Sequence, residues 1–227
     1  MILRFLAHAG FMLTTDDGTK IVIDPWLDDN PLSIIRSDEI QADYVILSHG
    51  HRDHCADAMK ITHKDSCIIA VPELLDFFND FQGKKHAMQI GGGFDFPFGK
   101  VKLTRAEHGS KTPDGAYAGL AAGIILQIDG ICIYHMGDTG IFGDLRLIAD
   151  MHRLDYLLIP IGGNFTMDPS DAALACSWLK PRFAIPMHYD TFPRINQDPM
   201  QFADLCKTHG IDVMILKPGE EIILSKP

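Results

Sequence analysis

No C-x-x-C pair occurs in the chain, and its five cysteines (Cys55, Cys67, Cys132, Cys176 and Cys206) are scattered and odd in number. That spacing fits buried thiols in a reducing compartment better than a disulfide framework. No apolar run approaches the length of a membrane span. Positive charge is scarce: 20 Lys and Arg against 30 Asp and Glu leave a net charge of −10. Nucleic acid and anionic membrane are therefore poor partners, since both need a cationic footprint. Linkers, low-complexity tracts and short-period repeats are missing too. The opening "MILRFLAHAGFML" sets an arginine before apolar residues, as a leader would, but His8 and Gly10 interrupt it and no small-residue cleavage site follows. The expectation is a cytoplasmic protein acting on a small molecule.

What is present reads as one domain, 1–227, of two comparable halves (about 1–115 and 116–227), long enough to bury a sizeable core. Residues 2–7, 11–15 and 20–24 are expected as strands, with "DDGT" turning between the second and third. "YVILS" (44–48) is almost wholly apolar, as a strand buried on both faces would be. Helical spacing covers 54–63 and 72–81, with the strand "CIIAV" between them, and 86–107 returns to strands. In the second half, "AAGIILQIDGICIYHMG" reads as a hairpin around Asp129-Gly130, and "YLLIP" and "FAIP" as strands. Asp168 and Pro169 open one helix, and Gly210 closes a last one. Strands first, then strands with interleaved helices, indicate an α+β fold of two sheets packed face to face with helices outside. Trp26 and Phe192, read as exposed apolar residues, would serve a pocket or a homo-oligomer interface.

The densest chemistry lies in "ILSHGHRDHC", directly behind a buried strand. His49 and His51 alternate on an extended segment, so both side chains point the same way and can converge on one ion. Asp53 and His54, where the chain turns into a helix, address a second point nearby. Imidazole with carboxylate is a ligand set for zinc, manganese or iron. Three further strands end in residues able to complete such a site: His108, Asp138 and His188. Singly each is a weak signal. Together they follow the rule that sites form where strands end and loops begin.

H-x-H-x-D-H, a lone histidine, G-D-T and a late histidine resemble the metallo-β-lactamase superfamily. "IVIDPWL", "FGKVKLTRAEHGS", "YHMGDTGIFGD", "PIGGNFTMDPSDAA" and "MHYDTFPRINQDP" are similar to its branch of metal-dependent hydrolases related to L-ascorbate-6-phosphate lactonases. The resemblance spans nearly the whole chain and implies a four-layer αββα sandwich with the site at one edge. It implies a first ion on His49, His51 and His108, a second on Asp53, His54 and His188, and Asp138 bridging both. The branch's early H-G-H-S loop is reduced here to "LAHAG", where only His8 matches. Arg52, standing among the ligands, would narrow the entrance or attract an anion.

Two divalent ions, with zinc preferred and manganese or iron compatible, would supply a metal-bridging hydroxide near neutral pH. The expected activity is hydrolysis of a small-molecule ester, lactone or phosphoester, with a lactonase-like reaction favoured. Asp53, His135 and His8 are the candidates for catalytic work around that water, though His135 and His8 serve equally well as residues orienting a ligand. Asn164, Tyr189, Thr191 and Arg194, on the loops "GGNFTM" and "HYDTFPR", are the candidate substrate contacts. Cys55 reads as a small residue starting a helix. Three rivals stand against this. A phosphodiesterase or nuclease would need a basic face, and an iron-dependent oxidoreductase of this fold would have a carboxylate at position 51 and a flavin domain. A binding module would be marked by lost ligands, yet all seven positions are filled.

Overall fold

The computed structural model describes residues 1–226. In chain order its first strands are β1 (Ile2–Ala7), β2 (Gly10–Thr14), β3 (Lys20–Ile23), β4 (Ala42–Ile46), β5 (Thr62–Ala70) and β6 (Lys84–Ala87). Next come β7 (Gly93–Phe96), β8 (Gly99–Arg105), β9 (Ala122–Ile128), β10 (Ile131–His135), β11 (Tyr156–Pro160), β12 (Phe183–Met187) and β13 (Asp212–Val213), before β14 (Glu221–Ile223). They form two seven-stranded sheets, ordered β14-β1-β2-β3-β4-β5-β6 and β13-β12-β11-β10-β9-β8-β7. Each follows one pattern from its edge, with three antiparallel pairings and then three parallel ones. The chain changes sheet between Ala87 and Gly93 and returns only for β14.

Sequence chemistry accounts for the central strands. β10 and β11 are buried at every residue, as strands covered on both faces must be. Asp129 and Gly130, both at positive φ, turn β9 back into β10. One apolar cluster fills the space between the sheets and joins Leu3, Phe5 and Val45 to Val101, Leu126 and Ile185. The other side of the second sheet lies under α3 (Leu145–Met151), α4 (Pro169–Leu179) and α5 (Pro199–Thr208), with Ile125, Tyr134 and Leu157 meeting Leu145, Cys176 and Phe202. The one-turn α1 (Arg52–Cys55) and α2 (Pro72–Leu75) add Cys55, Leu74 and Leu75 to the first of these clusters. The layering is the αββα sandwich expected. No helix among the described residues is long and apolar enough to cross a membrane.

Helix caps follow the sequence reading: Asp168 accepts from the Ser170 and Asp171 amides at α4, and Gly210 takes φ 72° just past α5. The helix expected over 54–63 does not form. It stops at Cys55 because the buried Asp57 accepts from the amides of Leu27 and Asp28, at 2.6 and 3.1 Å, and pairs with Lys60. A side chain spent on a distant backbone pins the segment as turns. The helix expected over 72–81 shortens to α2 and a 3-10 turn at Asp76–Phe78. Helix α3 and strands β13 and β14 were not anticipated.

Candidate metal centre

Six loops meet at one edge of the sandwich. The β1–β2 turn carries His8, the end of β3 carries Asp24, and the segment from β4 into α1 carries Ser48, His49, His51, Asp53 and His54. From the other sheet come His108 after β8, Asp138 after β10 and His188 after β12. Backbone hydrogen bonds lock the loops across the sheets: the His188 amide donates to the His8 carbonyl at 2.7 Å and the Ala122 amide to that of Ser48 at 2.9 Å. His8, Asp24 and His188 all sit at positive φ (56°, 47° and 57°), strain that the surrounding contacts maintain and that gathers at working sites. Gly137 precedes Asp138 at φ 62°, and a Cβ there would lie 2.5 Å from the Ala122 carbonyl oxygen.

The buried Asp138 carboxylate is the hub. Its oxygens lie 2.9 Å from His188 Nε2, 3.3 Å from His54 Nε2, 3.5 Å from His108 Nε2 and 4.0 Å from His49 Nε2. His51 Nδ1 lies 2.9 Å from His49 Nε2 and 3.3 Å from His108 Nε2. Yet His54 Nε2, Asp138 Oδ1 and both His188 nitrogens are buried without a hydrogen-bond partner. Such orphaned atoms are costly unless something else pairs with them. Donors about 2.1 Å from a tetrahedral ion stand about 3.4 Å apart, which is the spacing seen. The donor set fits divalent cations. Two groups have atoms close enough to share one: His49, His51 and His108, and Asp53, His54 and His188 with His8.

Behind these donors, Asp24 sets the orientation of two imidazoles. Its Oδ2 takes the His54 Nδ1–H at 2.8 Å and the Ser48 hydroxyl at 2.5 Å, while Oδ1 takes the Ser48 amide at 2.8 Å. The Ser48 hydroxyl, committed as a donor, accepts from His49 Nδ1 at 2.9 Å. Both imidazoles therefore turn an Nε2 lone pair toward Asp138. A third close group, Asp24 with His49 and His54, is this buried support rather than a further ion site.

Electrostatics favour the neutral form at His49 and His51 and the charged form at His54. Burial, and then neighbouring imidazoles, hold His49 and His51 below the ordinary histidine range, the neutral form a cation needs. For His54, burial is outweighed by the Asp138 and Asp24 carboxylates, which raise it. Against the effect of burial, His188 and His54 hold Asp138 ionised.

His8 is brought to the site, where burial and then His188 push it down to about 3. Neutral His8 donates from Nε2 to Asp53 at 3.2 Å and accepts at Nδ1 from the Thr191 hydroxyl at 2.8 Å. His135 is not brought there. Its Nε2–H donates to the Ala9 carbonyl at 2.8 Å and its Nδ1 accepts from the Gly137 amide at 3.1 Å. With both nitrogens spent on backbone it fixes the Gly137–Asp138 loop, which corrects the proton-carrier reading at 135 and fits the alternative of an orienting residue.

The cleft over these donors holds about 180 Å³ and is lined by His51, Asp53, His108, Asp138 and His188, walled by Phe165 and Phe192. The two expected loops do form walls, but through other residues. Asn164 and Arg194 are exposed and outside the lining, and Tyr189 packs against the cluster beneath the outer helices. Thr191 is committed to His8. Arg52 turns away to Asp29 at 2.5 Å, both exposed, so it neither narrows the entrance nor waits for an anion. Trp26 is buried, 5.2 Å from the His8 ring and 5.6 Å from that of Phe192, which corrects its reading as an exposed interface residue. Cys55 is buried, its thiol pushed up to about 12 by burial and then Asp24. Asp24, Ser48 and Phe165 escaped the sequence reading, and "IVIDP" was the available signal for Asp24.

The profile of the family described as "Beta-lactamase superfamily domain" matches residues 2–188. Two proteins called UPF0173 metal-dependent hydrolase are each 44% identical and cover 99% of this chain and all of their own length. They come from Carboxydothermus hydrogenoformans and Pelotomaculum thermopropionicum. Among solved structures, the metallo hydrolase Igni18 of the archaeon Ignicoccus hospitalis superimposes with a TM-score of 0.86 at 32% identity, covering 97% of both chains.

Proposed function

Because the chain belongs to the beta-lactamase superfamily domain family and is a metal-dependent hydrolase of that fold, we propose that it binds two divalent cations, zinc foremost, and cleaves a small-molecule ester or lactone. The observation that carries this is Asp138, within reach of both donor groups at once. His49, His51 and His108 would hold one cation, Asp53, His54 and His188 the other, and Asp138 both. Such a pair acidifies a water and polarises a carbonyl oxygen.

The chain's own residues do the rest. Asp24 and Ser48 fix the two imidazoles, so no reorganisation is needed when the cations bind. His8 holds one oxygen of Asp53 and leaves the other for coordination. Beyond the donors themselves, the cleft lining offers no side chain able to give a proton to a leaving group. That favours esters and lactones, whose alkoxides depart more readily than the nitrogen of an amide.

The test is elemental analysis of protein purified without chelators, paired with hydrolysis of a lactone, an acyl ester and a bis-aryl phosphodiester. About two zinc ions per chain with turnover of the lactone or ester are expected. Iron without hydrolysis, or no metal after reconstitution, would overturn the reading.

A further inference from the structure

We infer that the cleft selects neutral, apolar acyl compounds, small alkyl or aryl esters and lactones, and grips their non-reacting part between Phe165 and Phe192. The inference rests on the two-cation hydrolase reading and adds the substrate class. Five of the residues lining the cleft are donors directed at the reacting centre, and Phe165 and Phe192 are the other two. The two rings are the only lining side chains left for the part of a substrate that is not being cleaved.

The walls differ in kind. Phe192 is fixed from behind, its ring 5.6 Å from Trp26 and 5.5 Å from His8. Phe165 is 46% exposed at the rim and has no aromatic neighbour among the described residues. A large ring left half in water at the mouth of a site gains by burial when a flat or aliphatic group slides against it. Charge points the same way. The lining holds no lysine or arginine, Arg52 is paired with Asp29, and the chain as a whole carries −10. A phosphate or carboxylate on the substrate would find no partner except the cations, which the reacting oxygen must occupy. Size agrees: about 180 Å³ lies below the roughly 300–1,000 Å³ of sites for drug-sized ligands. A single ring or a short acyl chain fits.

The experiment compares the zinc-loaded protein on phenyl acetate and 4-carboxyphenyl acetate, and on a γ-alkyl lactone and a phosphorylated sugar lactone. A second readout follows binding of acetophenone, an uncleavable ketone, by Trp26 fluorescence in a Trp178→Phe background. The neutral member of each pair is expected to lead by more than tenfold in kcat/KM. Phe165→Ala should raise KM three- to tenfold with kcat little changed and weaken acetophenone by the same factor, while Phe165→Leu keeps most of the affinity. Equal or better turnover of the anionic members would overturn the inference. So would unchanged KM and acetophenone affinity in both Phe165→Ala and Phe192→Ala. Acetophenone binding that Phe165→Ala weakens, in protein that cleaves nothing, would sink the hydrolase reading while upholding the apolar grip.

Discussion

Asp24 and His54 form a fully buried pair, the carboxylate Oδ2 lying 2.8 Å from Nδ1, on a residue whose other imidazole nitrogen faces Asp138. The same carboxylate reaches His49 through Ser48, so one side chain orients an imidazole from each donor group. Asp24→Asn is expected to weaken metal binding about 10–100-fold while the chain stays folded. Chelator competition measures it, and parental affinity in the variant would mean the imidazoles orient themselves.

His51→Ala and Asp138→Ala should separate the two ions. His51 touches only the first donor group, so its loss should leave about one tightly held zinc. Asp138 lies within reach of both, and its loss should strip the site and abolish hydrolysis with circular dichroism unchanged. Full activity in either variant would remove the assignment.

Arg194→Ala should leave KM within about twofold of the parent for phosphorylated and neutral substrates alike, as expected of a surface substitution away from the site. The side chain is exposed and outside the cleft lining. A rise confined to phosphorylated compounds would restore Arg194 as a substrate contact.

Gly137→Ala puts a methyl group against the Ala122 carbonyl in a left-handed backbone. A cost of about 1–3 kcal/mol follows, or a fall of about 2–4 °C in Tm for each kcal/mol. Differential scanning calorimetry decides, and a parental Tm would show that the loop can yield.

Asp28 offers a pH test away from the metal centre. The Lys60 ammonium at 2.8 Å, then the Ser37 amide, hold its carboxyl below the usual range. A group depressed on folding stabilises above its unfolded pKa of about 3.9 and loses that contribution as pH falls through the folded value. Asp28→Asn should therefore lower Tm at pH 7 by about 2–4 °C, for about 1 kcal/mol, with the gap closing below about pH 4. A gap that ignores pH would show that charge is not its source.

The cluster from His49 to His54 was legible because its members are neighbours along the chain, where strand alternation and a helix start fix their directions. His108, Asp138 and His188 were legible more weakly, through the strand-end rule. Asp24 was not, since its partner stands thirty residues away and a strand-end aspartate looks like ordinary turn chemistry. His135 misled because nearness to Asp138 in sequence says nothing about which backbone groups claim its ring. Phe165 stood beside the wrongly favoured Asn164, and loops have no period to tell which neighbour faces inward. The repeating pairing order of the two sheets was hidden for a similar reason: partners across a sheet leave little local trace.

The hydrogen bond from the His188 amide to the His8 carbonyl stitches a turn of the first sheet to a strand end of the second. The donors are divided in the same way, His49, His51, Asp53 and His54 on one side of that seam and His108, Asp138 and His188 on the other. A half-folded chain has no complete cage to offer. The complete cage exists only where the two slabs meet, and a cation's grip on it would report how well they have closed.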